Sequence, residues 1–375
     1  MPLSPMDEYL AHQTPDTFDR VFTSDRHFYD RYYFNCHPSS DELFLVTGLG
    51  QYPNLGVTDA FVAISHGTQQ YVVRASRELG SNRMDTSVGP FRIEVIEGLL
   101  KLRVICEPNE WGVAFDMTFT GSVPALEEPK TFQRLPYGRI VSDVTRYAQV
   151  GTWEGTLEVA GQTYPVTPER WKGARDRSWG IRPVGEAEAP GIRLKDVQAG
   201  TAGFYHCWMP MQFDDYMLKV QFDEHYDGHR MLEESVKIYN LGIDKPSEPM
   251  GSPSIDVTYV SGTREIEKAV LTLAHPSGRD VRITSTPVRT VYLKAGSGYM
   301  PDGVWGHGYY QGPLKVEGLT FDMSTPEERL KWASLNESLA RIELDSGETC
   351  YAMHENLCNG TYRPHGFDTP DALAP

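Results

Sequence analysis

Apolar and polar residues alternate with a period of two along most of the chain, and turn residues interrupt the alternation at short intervals. Phe91, Ile93 and Val95 alternate with Arg92 and Glu94; beyond Glu97-Gly98, Leu100, Leu102 and Val104 alternate with Lys101 and Arg103. Successive strand residues point to opposite faces, so this spacing predicts a β-hairpin with one apolar face. Val113, Phe115, Met117 and Phe119 repeat the pattern, and the strand pair around residues 155–166 turns at Ala160-Gly161. The second half continues in the same way. "FYHCWMPMQF" and "YMLKVQFDEH" meet across Asp214-Asp215, and a further hairpin turns at Pro276-Ser277-Gly278. Many short strands, with 34 glycines and 26 prolines, predict barrels or sandwiches.

Helix signals are few. "STPEERLKWASL" carries Thr325 as N-cap, Pro326 at the first helical position and Glu328 to complete a capping box; Ser4-Pro5 ahead of Asp7 is a weaker start. The stretch 184–200 mixes Gly, Pro, Ala and charges without periodicity, which places a junction there and predicts domains at 1–190 and 191–375. The final "DTPDALAP" reads as a loose tail.

At 375 residues the chain exceeds what one core usually supports, in keeping with two domains. Its formal charge of -16 sets a field that repels phosphate backbones, so nucleic acid is not expected as a partner. No run approaches the roughly 20 apolar residues of a membrane span and the N-terminus lacks a secretory pattern, so a cytoplasmic protein is expected. Five scattered cysteines without a C-x-x-C pair predict reduced, buried thiols. Exposed sheet edges would allow a homodimer.

The chemistry concentrates in a few stretches. In "WKGARDRSWGIRP", residues 171–183, strand alternation puts Arg175, Arg177 and Trp179 on one face and Asp176 and Ser178 on the other. Desolvation in a barrel would make Asp176 an acid or base, whereas a neighbouring arginine would fix it as a structural anion. In "VWGHGYYQGPL", read as a strand, Trp305, His307 and Tyr309 share a face that suits either a cavity wall for a flat or polyene ligand or an aromatic core. In "CYAMHENLCNG", His354 is available for proton transfer with Asn356 beside it on the same face; His206 in "FYHCW" offers a similar imidazole. "FDEHYDGHR" contains Asp223, Glu224, His225, Asp227 and His229, but Asp227-Gly228 marks a turn, so an acidic hairpin loop is expected and no metal. Nucleophile-elbow, P-loop and dinucleotide-binding patterns are absent, and no cofactor is expected.

The strand pattern together with Arg175, Asp176, Ser178, Trp179 and Gly180 of "RDRSWG" resembles the AttH and carotenoid 1,2-hydratase family, whose members also resemble tocopherol cyclase. The resemblance implies an all-β chain of two lipocalin-like antiparallel barrels with a few short helices. Arg177 is a departure, standing where the hydratase-type motif has histidine, the side chain that exchanges protons most readily near neutral pH. The resemblance further implies a lyase, hydratase or isomerase without cofactor, working on a hydrophobic aromatic or isoprenoid-like small molecule. Asp176 and His354 are then the expected proton-transfer groups, with Arg175 and Arg177 as polarising partners. Trp179, Trp305, His307, Tyr309, His206 and Asn356 are the expected substrate contacts. The alternative is a non-catalytic carrier of a lipophile.

Overall fold

In a computed structural model of the chain, residues 4–135, 137–184, 191 and 203–375 are described; the junction expected at 184–200 falls almost wholly outside them. Their strands form two antiparallel sheets of fourteen and nine strands. In the first, Leu314–Asp322, Gln69–Glu78, Val57–His66, Leu43–Tyr52, Phe28–Cys36, Lys172–Ile181, Ile140–Val159, Val113–Gly121, Lys101–Cys106, Phe91–Glu97 and Ser87–Val88 lie side by side in that order. The two ends nearly meet: Arg77 Nε donates to the Ser87 carbonyl at 2.6 Å. Close approach also demands Gly89, where a Cβ would lie 2.7 Å from Val316 Cγ2 on the opposite end strand. The second sheet is a half-barrel that runs from Glu248–Pro249 to Ser252–Tyr259, with the late strand Thr349–Gly360 beside the early strand Gly203–Gln212.

The expected hairpins form. Val113, Phe115, Met117 and Phe119 are all buried, and Ala160-Gly161 turns with φ of 53° and 75°, the left-handed pair that a two-residue hairpin requires. Thr325 Oγ1 accepts from Glu328 N at 3.2 Å, but the helix it caps is only Pro326–Leu330. The C-terminus differs from expectation. Arg264 donates to the carbonyls of Ala372, Pro370 and Thr369, and Ala374 N donates to the Thr263 carbonyl, so the tail is pinned along the second barrel.

Three large apolar clusters hold most of the core among the described residues. Phe34, Phe119, Trp153 and Trp171 fill the first barrel, while Tyr205, Leu218, Phe222 and Ile342 fill the second. The third lies between them, joining Tyr33, Phe44, Ala148 and Ala174 of the first barrel to Trp208, Met217, Leu339 and Met353 of the second sheet. Burying each of the larger apolar side chains stabilises by about 1.5–3 kcal/mol, which makes this middle layer a true core shared by the two halves. Leu314–Asp322, from the second half of the sequence, completes the first sheet and ties the halves together.

Candidate active site

The central strands of the second sheet are largely buried on both faces, and on the face turned toward the first barrel the apolar register is broken by charge. Glu337 falls in step with Leu335 and Leu339, Glu355 with Met353 and Leu357, and His206 with Trp208. The ladders set Glu337 opposite Glu355, and His206 opposite Asp223. Asp223, His206, Glu355 and Glu337 therefore form a row across four adjacent strands. His206 Nδ1 lies 2.5 Å from Asp223 Oδ1, and its Nε2 is 3.5 Å from Glu355 Oε1.

The first barrel faces this row with Tyr33, Asp176, Arg146 and Glu128. Arg146 Nε lies 3.9 Å from Asp176 and its Nη1 3.5 Å from Glu128. Glu128 also accepts from Trp208 Nε1 at 2.7 Å and lies 3.0 Å from Lys219 Nζ, so the two halves are joined by a buried ion cluster. Asp176, Arg146, Glu355 and His206 retain between 13 and 19% side-chain exposure, so solvent reaches the edge of the layer.

Protonation states follow from these contacts. Burial, reinforced by the facing Glu355, holds the Glu337 carboxyl well above the usual range, and its Oε2 has no hydrogen-bond partner among the described residues. Both causes favour the protonated, neutral form of the carboxyl. Burial also raises Asp176, with Arg146 acting against it. Burial alone would raise Glu128 and lower His206; Lys219 and Arg146 instead pull Glu128 down, and Asp223 carries His206 up to about 10. Because the folded His206 titrates above its ordinary 6.5, its stabilisation is complete below that pH and is lost as pH climbs toward about 10. The melting temperature of wild type should accordingly exceed that of His206→Gln most below pH 6.5, with the gap narrowing up to pH 10; a gap independent of pH would contradict the charged pair.

The expected site residues separate. Asp176 and His206 both face the layer between the barrels, Asp176 beside Arg146 and His206 between Asp223 and Glu355. Arg175, Arg177 and Trp179 point the other way, into the first barrel: Arg175 Nε donates to Gln149 Oε1 at 2.9 Å, and Arg177 pairs with Asp30 over the Tyr32 ring. Trp179 keeps 39% exposure. His354 and Asn356 point into the second barrel. His354 Nδ1 lies 3.0 Å from Ser285 Oγ, and burial pushes the imidazole down to about 4, far from Asp176 in both direction and role.

Residues 304–313 are not a strand. Gly303, Gly308 and Gly312 adopt φ of 86°, 78° and 97°, which break extended structure, so Trp305, His307 and Tyr309 do not alternate on a common face. This loop lies against the outside of the first barrel. Trp305 is covered by the Arg74 guanidinium, and Tyr309 is half-buried with its carbonyl accepting from Ser76 Oγ. His307 Nε2 faces Arg31 Nη2 at 3.1 Å and its Nδ1 faces Asp59 at 3.5 Å, which assigns the proton to Nδ1. Burial and Arg31 lower His307 to about 4. Tyr299 in the same loop feels Arg31 and Asp176 together and joins this cluster to the carboxyl row. The glycine string at 47–56 serves this end of the layer: a Cβ at Gly50 would fall 2.6 Å from Tyr52 Oη and 2.8 Å from Arg31 Cγ.

Glu337, Glu355, Glu128, Arg146 and Tyr33 were not singled out by sequence, although a glutamate in the register of Leu335 and Leu339 is a readable signal. Residues 223–229 form a hairpin end: Asp223 is engaged by His206 and Glu224 by Arg230. Among the described residues, no three His, Cys, Asp or Glu side chains converge as a metal site, and no helix is long and apolar enough to cross a membrane. All five cysteines are unpaired thiols.

A model of a family of unknown function matches residues 3–368. No curated protein matches the chain. A putative AttH from Nitrosomonas europaea shares the fold, with a TM-score of 0.55 at 14% identity over 93% of this chain and 99% of that one. Kievitone hydratase from Nectria haematococca gives a TM-score of 0.44 at 13% identity over 88% of each chain. CghA gives 0.45 at 10% identity over 89% of this chain and 88% of its own. The AttH-like architecture implied by "RDRSWG" is thus present.

Proposed function

We propose that this chain, which belongs to the family of unknown function DUF8625, is a cofactor-independent hydratase, lyase or isomerase whose acid-base groups lie between its two barrels. The observation that carries this reading is Glu337, a buried carboxyl that burial biases toward its neutral form, facing Glu355 on its own sheet and in the field of Asp176. A neutral acid in an apolar layer can give up its proton where a nearby carboxylate can receive another. In a hydration, the Glu337 O–H proton passes to an alkene carbon and water bonds to the resulting cation. The surplus proton of that water goes to Asp176; dehydration runs the same steps backward. Trp208, Leu335, Leu339 and Met353 supply apolar walls, which favours a hydrophobic substrate. General acid-base catalysis of this kind contributes roughly 10²- to 10⁴-fold per group.

The experiment is incubation of the purified chain, with no added cofactor, in D2O with lipophilic alkenes, phenols and isoprenoids, read by mass spectrometry. Wild type should add or remove water, or exchange deuterium at carbon, on at least one compound. Glu337→Gln and Asp176→Asn should each lose that change. Retained turnover in both variants would refute the acid-base assignment, and binding with every ligand recovered chemically unchanged would favour a carrier.

A further inference from the structure

A cavity of about 710 Å³ lies away from this layer, at the end of the first barrel where Phe28–Cys36 begins and Leu43–Tyr52 ends. That volume is typical of small-molecule sites. Phe18, Phe28, Leu49 and Ile93 give it apolar walls. Residues 6–22 contribute a roof, held in shape by Asp7, which accepts from Ser4 N at 2.7 Å and Phe18 N at 2.9 Å. Phe22, Met84 and Val95 are exposed along its rim.

Of the carboxylates that line it, Asp16 pairs with Arg20, Asp85 with Arg77 and Glu94 with Arg92 and Arg103, which leaves Asp30 to Arg83 and Arg177. Arg83 Nη2 donates to Asp30 Oδ2 at 2.9 Å, and Arg177 pairs with the other oxygen of the same carboxylate. Two guanidiniums thus share one anion. Gln51 neutralises neither: its Oε1 accepts from Arg83 Nε at 3.3 Å while its Nε2 donates to the Arg83 carbonyl. Burial and the Arg177 charge hold Arg83 below its ordinary value although Asp30, and more weakly Asp19, act the other way. A second anion could pair with the two guanidiniums that share Asp30. It would have to arrive on a molecule whose body accepts apolar walls.

We propose that this cavity is a second ligand site, separate from the layer between the barrels, that takes an amphipathic carboxylate: its head on Arg83 and Arg177, its hydrocarbon body against Phe18, Phe28, Leu49 and Ile93. Such a carboxylate completes the charge-assisted pairing that Asp30 leaves half made. The rim gives a lipophile an apolar point of entry.

Calorimetric titration of the full chain with decanoate and, separately, decanol tests the assignment. Decanoate should bind one to one and about tenfold or more tighter than decanol, the scale of a hydrogen-bonded charge in a sheltered site. Arg83→Met should bring the two ligands within about threefold, and Ile93→Trp, which fills the cavity, should block both. Glu337→Gln should leave decanoate binding unchanged, since it lies in the other site. Equal affinity for the two probes in wild type, or no binding of decanoate, overturns the proposal without recourse to any variant. Binding undiminished in a folded Ile93→Trp, checked by its melting transition, overturns the location.

Discussion

Replacing Lys219 by methionine is expected to cost about 3–5 kcal/mol of stability at pH 7, measured by urea unfolding of both proteins. Lys219 is wholly buried between Glu128 at 3.0 Å and Glu234 at 2.6 Å. Methionine matches the length of its stem but leaves Glu128 in the shared layer with Arg146, 3.5 Å away, as its remaining cation. The loss measures an uncompensated buried charge, which exceeds the net worth of the pair itself. In wild type, Lys219 and Arg146 overcome burial to hold Glu128 below its usual value, so its stabilisation exists above pH 4.5 and is lost as pH falls through the depressed value. The difference between wild type and Lys219→Met should therefore shrink in acid. The double variant Lys219→Met/Glu128→Gln should recover part of the loss, because the stranded charge goes with its partner. A loss below about 1 kcal/mol would mean that water, not Lys219, solvates Glu128.

Glu337→Gln is expected to act in opposite directions on stability and on chemistry. A folded carboxyl held well above its ordinary 4.5 takes up a proton on folding between the two values, which weakens the folded state over that pH range. The penalty is absent below pH 4.5, where the unfolded chain is protonated too, and grows as pH rises toward the folded value. An amide of the same shape does not titrate and can donate to Glu355, the residue directly across the ladder. The variant should thus melt a few degrees higher than wild type near pH 7 and no higher near pH 4, followed by thermal unfolding at both values. It should also lose the proton donor and with it turnover. A functional residue commonly shows this pairing, since a site tuned for reaction departs from the most stable arrangement. Unchanged melting at both pH values would show that Glu337 is ionised and solvated.

Much of the fold was legible because strand alternation is a local property. Val113 to Phe119 announced their inward face, and Ala160-Gly161 announced a left-handed turn. Alternation failed at 304–313, where aromatic residues at period two sit among glycines with positive φ; only the backbone reveals that the segment is a loop. The tail at 368–375 looked unanchored because Arg264, which holds it, lies a hundred residues away in sequence.

The sequence by itself determined that Asp176 lies on the opposite face from Arg175, Arg177 and Trp179 in an antiparallel β chain, and its resemblance to a known family implied two barrels. Tertiary structure decided what each face meets. A strand with one solvated face shows which side is the core, but strands such as Leu335–Leu344 and Thr349–Gly360 are covered on both, so parity cannot say that Glu355 looks toward the first barrel and His354 away from it. Glu337, Glu355, His206 and Asp223 come together through the register of four strands, and Asp176, Arg146 and Glu128 are added by the docking of one barrel on the other. Protonation follows from that convergence, because desolvation and neighbouring charge, the causes that shift Glu337 and His206, exist only once distant segments have packed.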